Sequence, residues 1–211
     1  MTGSTEPRID RVVTSGIFSL DGGDFEVDNN VWVIGDGLSV VIVDAAHDHR
    51  PIVEAVAGRQ VQMIICTHGH NDHVNAAVDL AVAVGAPVAL HPADRMLWDV
   101  VHPDRPPDVE LGDGDIYGAL RVVHTPGHSP GGVCLVGTRR LEEHLWSGDT
   151  LFAGGPGATG RSFSDFPTIV ASITDRLLTL PPQTVVHTGH GEDTTIGAEA
   201  PHRQEWIDRG H

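Results

Sequence analysis

The sequence predicts an α/β fold in which two β-sheets pack face to face with helices outside them. Three observations carry that expectation. Short apolar, β-branched runs recur along the chain, segments of helical periodicity alternate with them, and glycine- or proline-rich turns separate most neighbours. Residues 31–34 and 40–43 read as strands joined through Gly35-Asp36-Gly37. Pro51 opens a helix to about residue 57, and Gly58 ends it. Residues 63–66 read as a buried strand, and 75–84 as a well-covered helix ending at Gly85. A strand at 87–90, a short helix at 93–101 and a proline-rich loop at 102–108 follow. Residues 111–123 resemble strands around Gly112-Asp113-Gly114-Asp115, and 133–136 and 145–146 continue the sheets. A helical stretch at 169–180 stops at Pro181-Pro182, 185–187 is a last strand, and 198–208 a terminal helix. With no linker, low-complexity tract or fixed-period repeat, residues 1–211 read as a single domain.

Composition narrows the function classes. The formal charge of -16 argues against phosphate-backbone partners, which draw on clustered basic residues. All 13 basic residues are arginine, a bias that fits a GC-rich coding sequence. No apolar run approaches the roughly 18 residues of a spanning helix, and the polar start Met1-Thr2-Gly3-Ser4 carries no secretory signal. Cys66 and Cys134 lie within apolar runs and read as core thiols of a reducing, cytoplasmic compartment.

The chemistry concentrates in Thr67-His68-Gly69-His70-Asn71-Asp72-His73, on the loop between the strand at 63–66 and the helix at 75–84. Imidazole nitrogen and carboxylate oxygen are natural ligands of zinc and similar ions. For this run alone a histidine-rich surface turn is the alternative, since the chain holds 14 histidines. Three further loops weaken that alternative. His128 lies in Thr125-Pro126-Gly127-His128-Ser129-Pro130-Gly131, Asp149 in Ser147-Gly148-Asp149-Thr150-Leu151-Phe152, and His190 in Gly189-His190-Gly191. Each follows a β-like run and is flanked by glycine, where a loop on a rigid scaffold presents a side chain. Four converging loops would supply two metals rather than one.

In order and spacing these motifs resemble the metallo-β-lactamase superfamily, and most narrowly its short glyoxalase II-like hydrolases, from about residue 31 to 199. The resemblance implies an αββα four-layer sandwich. It implies His68, His70 and His128 on a first divalent ion and Asp72, His73 and His190 on a second, with Asp149 bridging both. Zinc is the first expectation, and iron or manganese suits the same mixed shell. Classical lactam-cleaving members carry a cysteine where Asp149 stands and an export signal; neither is visible in this sequence, which counts against a lactamase.

Two ions about 3.5–4 Å apart can share a hydroxide formed near neutral pH and polarise a carbonyl under attack, so no protein nucleophile is needed. Asp72 is expected to orient that hydroxide. No proton donor stands out beyond the seven ligands, which fits a thiolate leaving group of pKa about 8.5. The expected substrate is therefore a small-molecule thioester, an S-acyl or S-formyl derivative of mycothiol or glutathione. The basic C-terminal extension by which long glyoxalase II enzymes hold glutathione has no counterpart here. Arg161 is a candidate substrate contact, with an ion pair to Asp165 as its structural alternative. Alternatives on the same residues are a persulfide dioxygenase holding one iron on His68, His128 and Asp149, and a lactonase. The chain is expected to act as a monomer or homodimer.

The remaining histidines divide by position. His47 and His49 lie near the expected site mouth, and Asp44 is expected to support the ligand loop. His124 and His187 read as strand-end residues or as orienters of ligands. His91, His102, His144, His202 and His211 read as surface or loop residues, and Trp98 and Trp206 as packing residues.

Overall fold

Period-two alternation along the strands divides the apolar residues into separate cores. The computed structural model of the chain describes residues 6–210. The first sheet runs β1 (Arg8–Leu20), β2 (Gly23–Gly35), β3 (Ser39–Val43), β4 (Gln60–Ile65), β5 (Val88–Leu90), β6 (Val109–Glu110) in spatial as in chain order. Its first three strands pair antiparallel and the rest parallel. In the second sheet, β7 (Ile116–Tyr117), β8 (Leu120–His124), β9 (Val133–Gly137) and β10 (His144–Gly148) are antiparallel neighbours. A small hairpin, β11 (Leu151–Phe152) with β12 (Gly155–Pro156), follows. Then β13 (Val185–Thr188) pairs parallel with β10, and β14 (Thr194–Thr195) closes that edge.

The helices are α1 (His49–Val56), α2 (Asn71–Val74), α3 (Ala77–Val84), α4 (Arg95–Val101), α5 (Phe166–Ser172), α6 (Ile196–Glu199) and α7 (Arg203–Arg209). Val31, Val33, Val40, Ile42, Ile64 and Cys66 face a core shared with Ile52 of α1, Leu80 of α3 and Trp98 of α4. Their alternates Trp32, Ile34, Val41, Val43, Met63 and Ile65 face Leu120, Val122, Leu135 and Trp146 of the second sheet. The other face of that sheet, through Val123, Cys134, Val136 and Leu145, packs on Ile169, Ile173 and Trp206. Three cores between four layers make an αββα sandwich, because each central strand buries both of its faces.

Several expected boundaries shift for local reasons. α1 begins at His49 rather than Pro51, because the Asp48 carboxylate accepts from the Arg50 N–H and caps the helix. The helix expected at 75–84 begins two residues later, as α3 at Ala77, and a separate short helix, α2, precedes it and carries Asp72 and His73. The stretch at 169–180 begins three residues earlier, at Phe166, and continues past α5 as a π turn over Ile173–Leu177. The largest difference is β1 with the N-terminal half of β2, a 13-residue-per-strand hairpin that the reading of strands from residue 31 onward misses. β1 is an edge strand whose burial alternates, but Thr14 and Gly16 lie on its inner face and Val13 and Ile17 on its exposed face, so its apolar residues do not follow that alternation.

Candidate metal centre

Parallel pairing of β3 with β4, and of β10 with β13, sends the C-terminal ends of these strands to one end of the sandwich. Asp44 follows β3, the Thr67–His73 run follows β4, His128 follows β8, Asp149 follows β10 and His190 follows β13. A register shift between Trp146 and Gly148 precedes Asp149, and Gly148 adopts a left-handed φ of +48°. A Cβ there would strike the Thr67 side chain, so glycine is required where the two sheets meet at the site.

The structure brings all seven expected ligands together. His70 Nδ1 faces His128 Nε2 at 3.0 Å, and His73 Nε2 faces His190 Nε2 at 3.1 Å. Asp149 lies between these pairs, with Oδ1 3.3 Å from His73 and Oδ2 3.4 Å from His190 and 3.7 Å from His128. Asp72 Oδ2 is 3.4 Å from His190 and 3.5 Å from His73. Three donor groups each gather within 4.8 Å: His68, His70, His128; His68, His73, Asp149; and Asp72, His73, His190. His68 Nε2, Asp72 Oδ1 and Asp149 Oδ1 are buried without a hydrogen bond. Facing imidazole nitrogens need a proton or a cation between them, and orphaned buried acceptors are costly without one. The residues therefore fit two divalent ions with a shared carboxylate.

Electrostatics agree with that fit. Burial, then the neighbouring imidazoles His73 and His70, push His68 well below its ordinary value. His70 falls to about 3 through burial and then His128. Burial acts the same way on His73 and His190, but carboxylates outweigh it. Asp149, Asp72 and Asp44 raise His73 well above its ordinary range, and Asp149 leads in raising His190 to about 10. Burial opposes ionisation of Asp72, yet His73 and His190 hold it at about 2. Asp149 is held well below the usual carboxylate range against the same penalty, chiefly by His73 and His190. In the protein alone, protons supply the positive charge that the acidic half of the site demands.

A surrounding set of contacts fixes the ligands. Asp44, at φ +59°, lies 3.0 Å from His73 Nδ1 and accepts from the Thr67 N–H and hydroxyl. Thr67 Oγ1 reaches His68 Nδ1 at 3.1 Å. The carbonyls of Ala158 and Asp28 orient His128 and His190 through their Nδ1 atoms. Asn29, buried on β2, donates to Asp72 Oδ2 at 3.0 Å, and its carbonyl faces His47 Nε2 at 2.8 Å. His47 thus acts through Asn29, whereas His49 only opens α1.

Two contacts escape the sequence reading. Asn29 sits on the strand segment that went unrecognised, and its only signal is the polar pair Asn29-Asn30 ahead of the apolar run at 31–34. Asp94 is fully buried and accepts from Gly69 N–H, Gly131 N–H and the Ser129 hydroxyl. Nothing in its surroundings in the sequence distinguishes it.

Arg161 does not pair with Asp165, which instead caps α5 by accepting from Thr168 N–H. Its guanidinium lies 4.5 Å from the Phe25 ring centroid and 5.7 Å from that of Phe18, and Phe18 packs 5.4 Å from His70. Asp21 at the hairpin tip accepts from both the N–H and the hydroxyl of Ser162. Arg161 therefore stands on an aromatic wall beside the first donor group.

His124 and His187 contact no ligand. His124 stacks on His91 at 4.1 Å, and His187 bridges Asp193 and His144 at 2.8 and 2.9 Å. His91, His102 and His144 are half-buried rather than on the surface, while His202 is exposed and His211 lies outside the described residues. Trp98 and Trp206 are buried packing residues, and both cysteines are free and buried.

The family model of the metallo-beta-lactamase superfamily matches residues 25–190. The chain belongs to the metallo-β-lactamase superfamily. Its likeness to hydroxyacylglutathione hydrolases marks it as a short glyoxalase II-like member. The hydroxyacylglutathione hydrolase GloC of Haemophilus influenzae is 28% identical over 189 residues, covering 80% of this chain and 87% of that protein. Among solved structures, BLEG-1 B3 metallo-beta-lactamase superposes with a TM-score of 0.75 at 28% identity, covering 90% and 98% of the two chains. TTHA1623 in a di-iron-bound form gives 0.71 at 33% identity, covering 82% and 93%. As in other members of the superfamily fold, the two central sheets are flanked by helices.

Proposed function

We propose that this superfamily member is a two-metal thioester hydrolase acting on an S-acyl derivative of a small cellular thiol. The observation that carries the reading is the placement of Asp149 between two groups of nitrogen donors in one cleft. His68, His70 and His128 would hold one ion, Asp72, His73 and His190 the other, and Asp149 both. Zinc is the first choice, and the di-iron form of TTHA1623 supports iron as an alternative. When bound, the ions supply a water nucleophile available near neutral pH and a Lewis acid for the carbonyl oxygen.

The protein's own part is orientation. Asn29 holds Asp72 through Oδ2, leaving Oδ1 without a hydrogen bond and free to direct a nucleophile or ligand an ion. Neither neighbouring serine serves as nucleophile, because Ser129 is engaged by Asp94 and Ser147 by the Leu151 carbonyl, both fully buried. A thiolate departs without strong protonation, so the lack of a general acid among these groups suits a thioester better than an amide. Arg161, exposed above Phe18 and Phe25, would take an anionic group of the substrate. The free buried thiols agree with a reducing, cytoplasmic setting.

Metal-loaded protein assayed against a panel of S-acyl and S-formyl thiols should release thiol and carboxylate without oxygen. Retention of both metals with no turnover of any thioester would sink the proposal. One iron per chain, with oxygen uptake on a persulfide, would instead establish the oxygenase reading. The complete Asp72, His73, His190 group favours two ions over one.

A further inference from the structure

The first donor group is assembled from two loops on different sheets, so something must fix their separation. His68 and His70 follow β4 of the first sheet, and His128 follows β8 of the second. The facing imidazoles of His70 and His128 meet across that junction at 3.0 Å and the Val133 N–H donates to the Thr67 carbonyl at 2.8 Å, but neither tie holds the backbone of Gly69 or of the turn after His128. Asp94, in the turn before α4, lies against both: one oxygen accepts from Gly69 N–H at 2.9 Å and from the Ser129 hydroxyl at 2.6 Å. Its other oxygen accepts from Gly131 N–H at 2.5 Å. Gly69 lies between His68 and His70, while Ser129 and Gly131 follow His128.

We propose that Asp94 is a positioning residue that sets the geometry of the first metal position, and not of the second. This inference rests on the two-ion reading of the cleft. An ionised carboxylate only accepts, so it satisfies three donors that no neutral side chain of its size can meet together. The loops have closed around it: a Cβ on Gly69 would lie 2.9 Å from the Asp94 carbonyl oxygen, and one on Gly131 would lie 2.7 Å from its amide nitrogen. The second position is held by other groups. Asp44 orients His73, Asn29 orients Asp72 and the Asp28 carbonyl orients His190, and none of these touches Asp94. Replacing Asp94 should therefore loosen His70 against His128 and leave the second group in place.

The test is a cobalt(II) titration of the full chain, followed by visible absorption and elemental analysis, with Asp94→Asn, Ser129→Ala and Leu177→Ala compared. In Asp94→Asn the amide nitrogen must face an N–H or O–H donor, so one ion should weaken by roughly 10- to 100-fold while the other keeps its affinity. Ser129→Ala, which removes one of three donors, should show a smaller loss at the same position even if Asp94→Asn folds poorly. Leu177→Ala, in the core behind the second sheet, should lower the melting temperature and keep both ions. Unchanged uptake of both ions in Asp94→Asn and Ser129→Ala, or equal weakening of the two, overturns the role of Asp94 alone. A wild-type chain that takes up fewer than two ions overturns the two-ion reading, and this inference with it.

Discussion

At Asp149 one side chain serves both halves of the cleft, so its loss cannot be local. Asp149→Ala should weaken uptake of both ions by at least about 100-fold, as measured by elemental analysis after dialysis. Protonation gives a second expectation. Neighbouring carboxylates raise His73 well above its ordinary value and His190 to about 10, so this facing pair holds excess proton charge at pH 7 in the metal-free chain. Ligand imidazoles must be neutral, so metal uptake expels that charge and apparent affinity falls as the pH is lowered. Calorimetry in buffers of differing ionisation enthalpy should show net proton release; uptake without release would contradict the charge balance described above. Arg161→Met keeps the contact with Phe25 but removes the charge. It should raise KM about 10-fold at constant kcat, the signature of lost uniform binding at an exposed anion contact. The thiols behave oppositely to catalytic ones. Burial raises Cys66 and pushes Cys134 up to about 11, so neither should react with iodoacetamide at pH 8 until the protein is denatured.

Among the elements, the β1–β2 hairpin is tied to the ligand loop through Asn71. Asn71, between His70 and Asp72, accepts from Ser19 N–H through its side-chain oxygen and donates to the Ile17 carbonyl through its amide. Together with the Asp21–Ser162 contact this holds Phe18 against His70. Asn71→Ala should loosen the hairpin and speed amide exchange at Ile17–Leu20 without altering metal uptake, since Asn71 offers no ligand. The hairpin was illegible in the sequence because the inner face of β1 carries Thr14 and Gly16 while Val13 and Ile17 lie on its exposed face, so burial alternates along the strand and apolarity does not. The ligand loops were legible because their residue types are costly anywhere else: three histidines and an aspartate within six positions have no packing use.

Across the whole molecule, the αββα sandwich is a consequence of strands that are apolar on both faces. Leu135, fully buried between the sheets, should cost about 2–5 kcal/mol as Leu135→Ala and lower the melting temperature by several degrees. Among the described residues no helix is long and apolar enough to cross a membrane.

The sequence by itself determined the fold class, the seven side chains that gather in the cleft and the order in which they arrive, because metal chemistry restricts residue types and burial restricts periodicity. Only the tertiary structure decided what orients those ligands. Asn29, Asp94 and the aromatic seat of Arg161 act across 43, 25 and 136 residues of chain respectively. A lone buried polar residue has no periodic signature, and it gains meaning only from the distant backbone that donates to it.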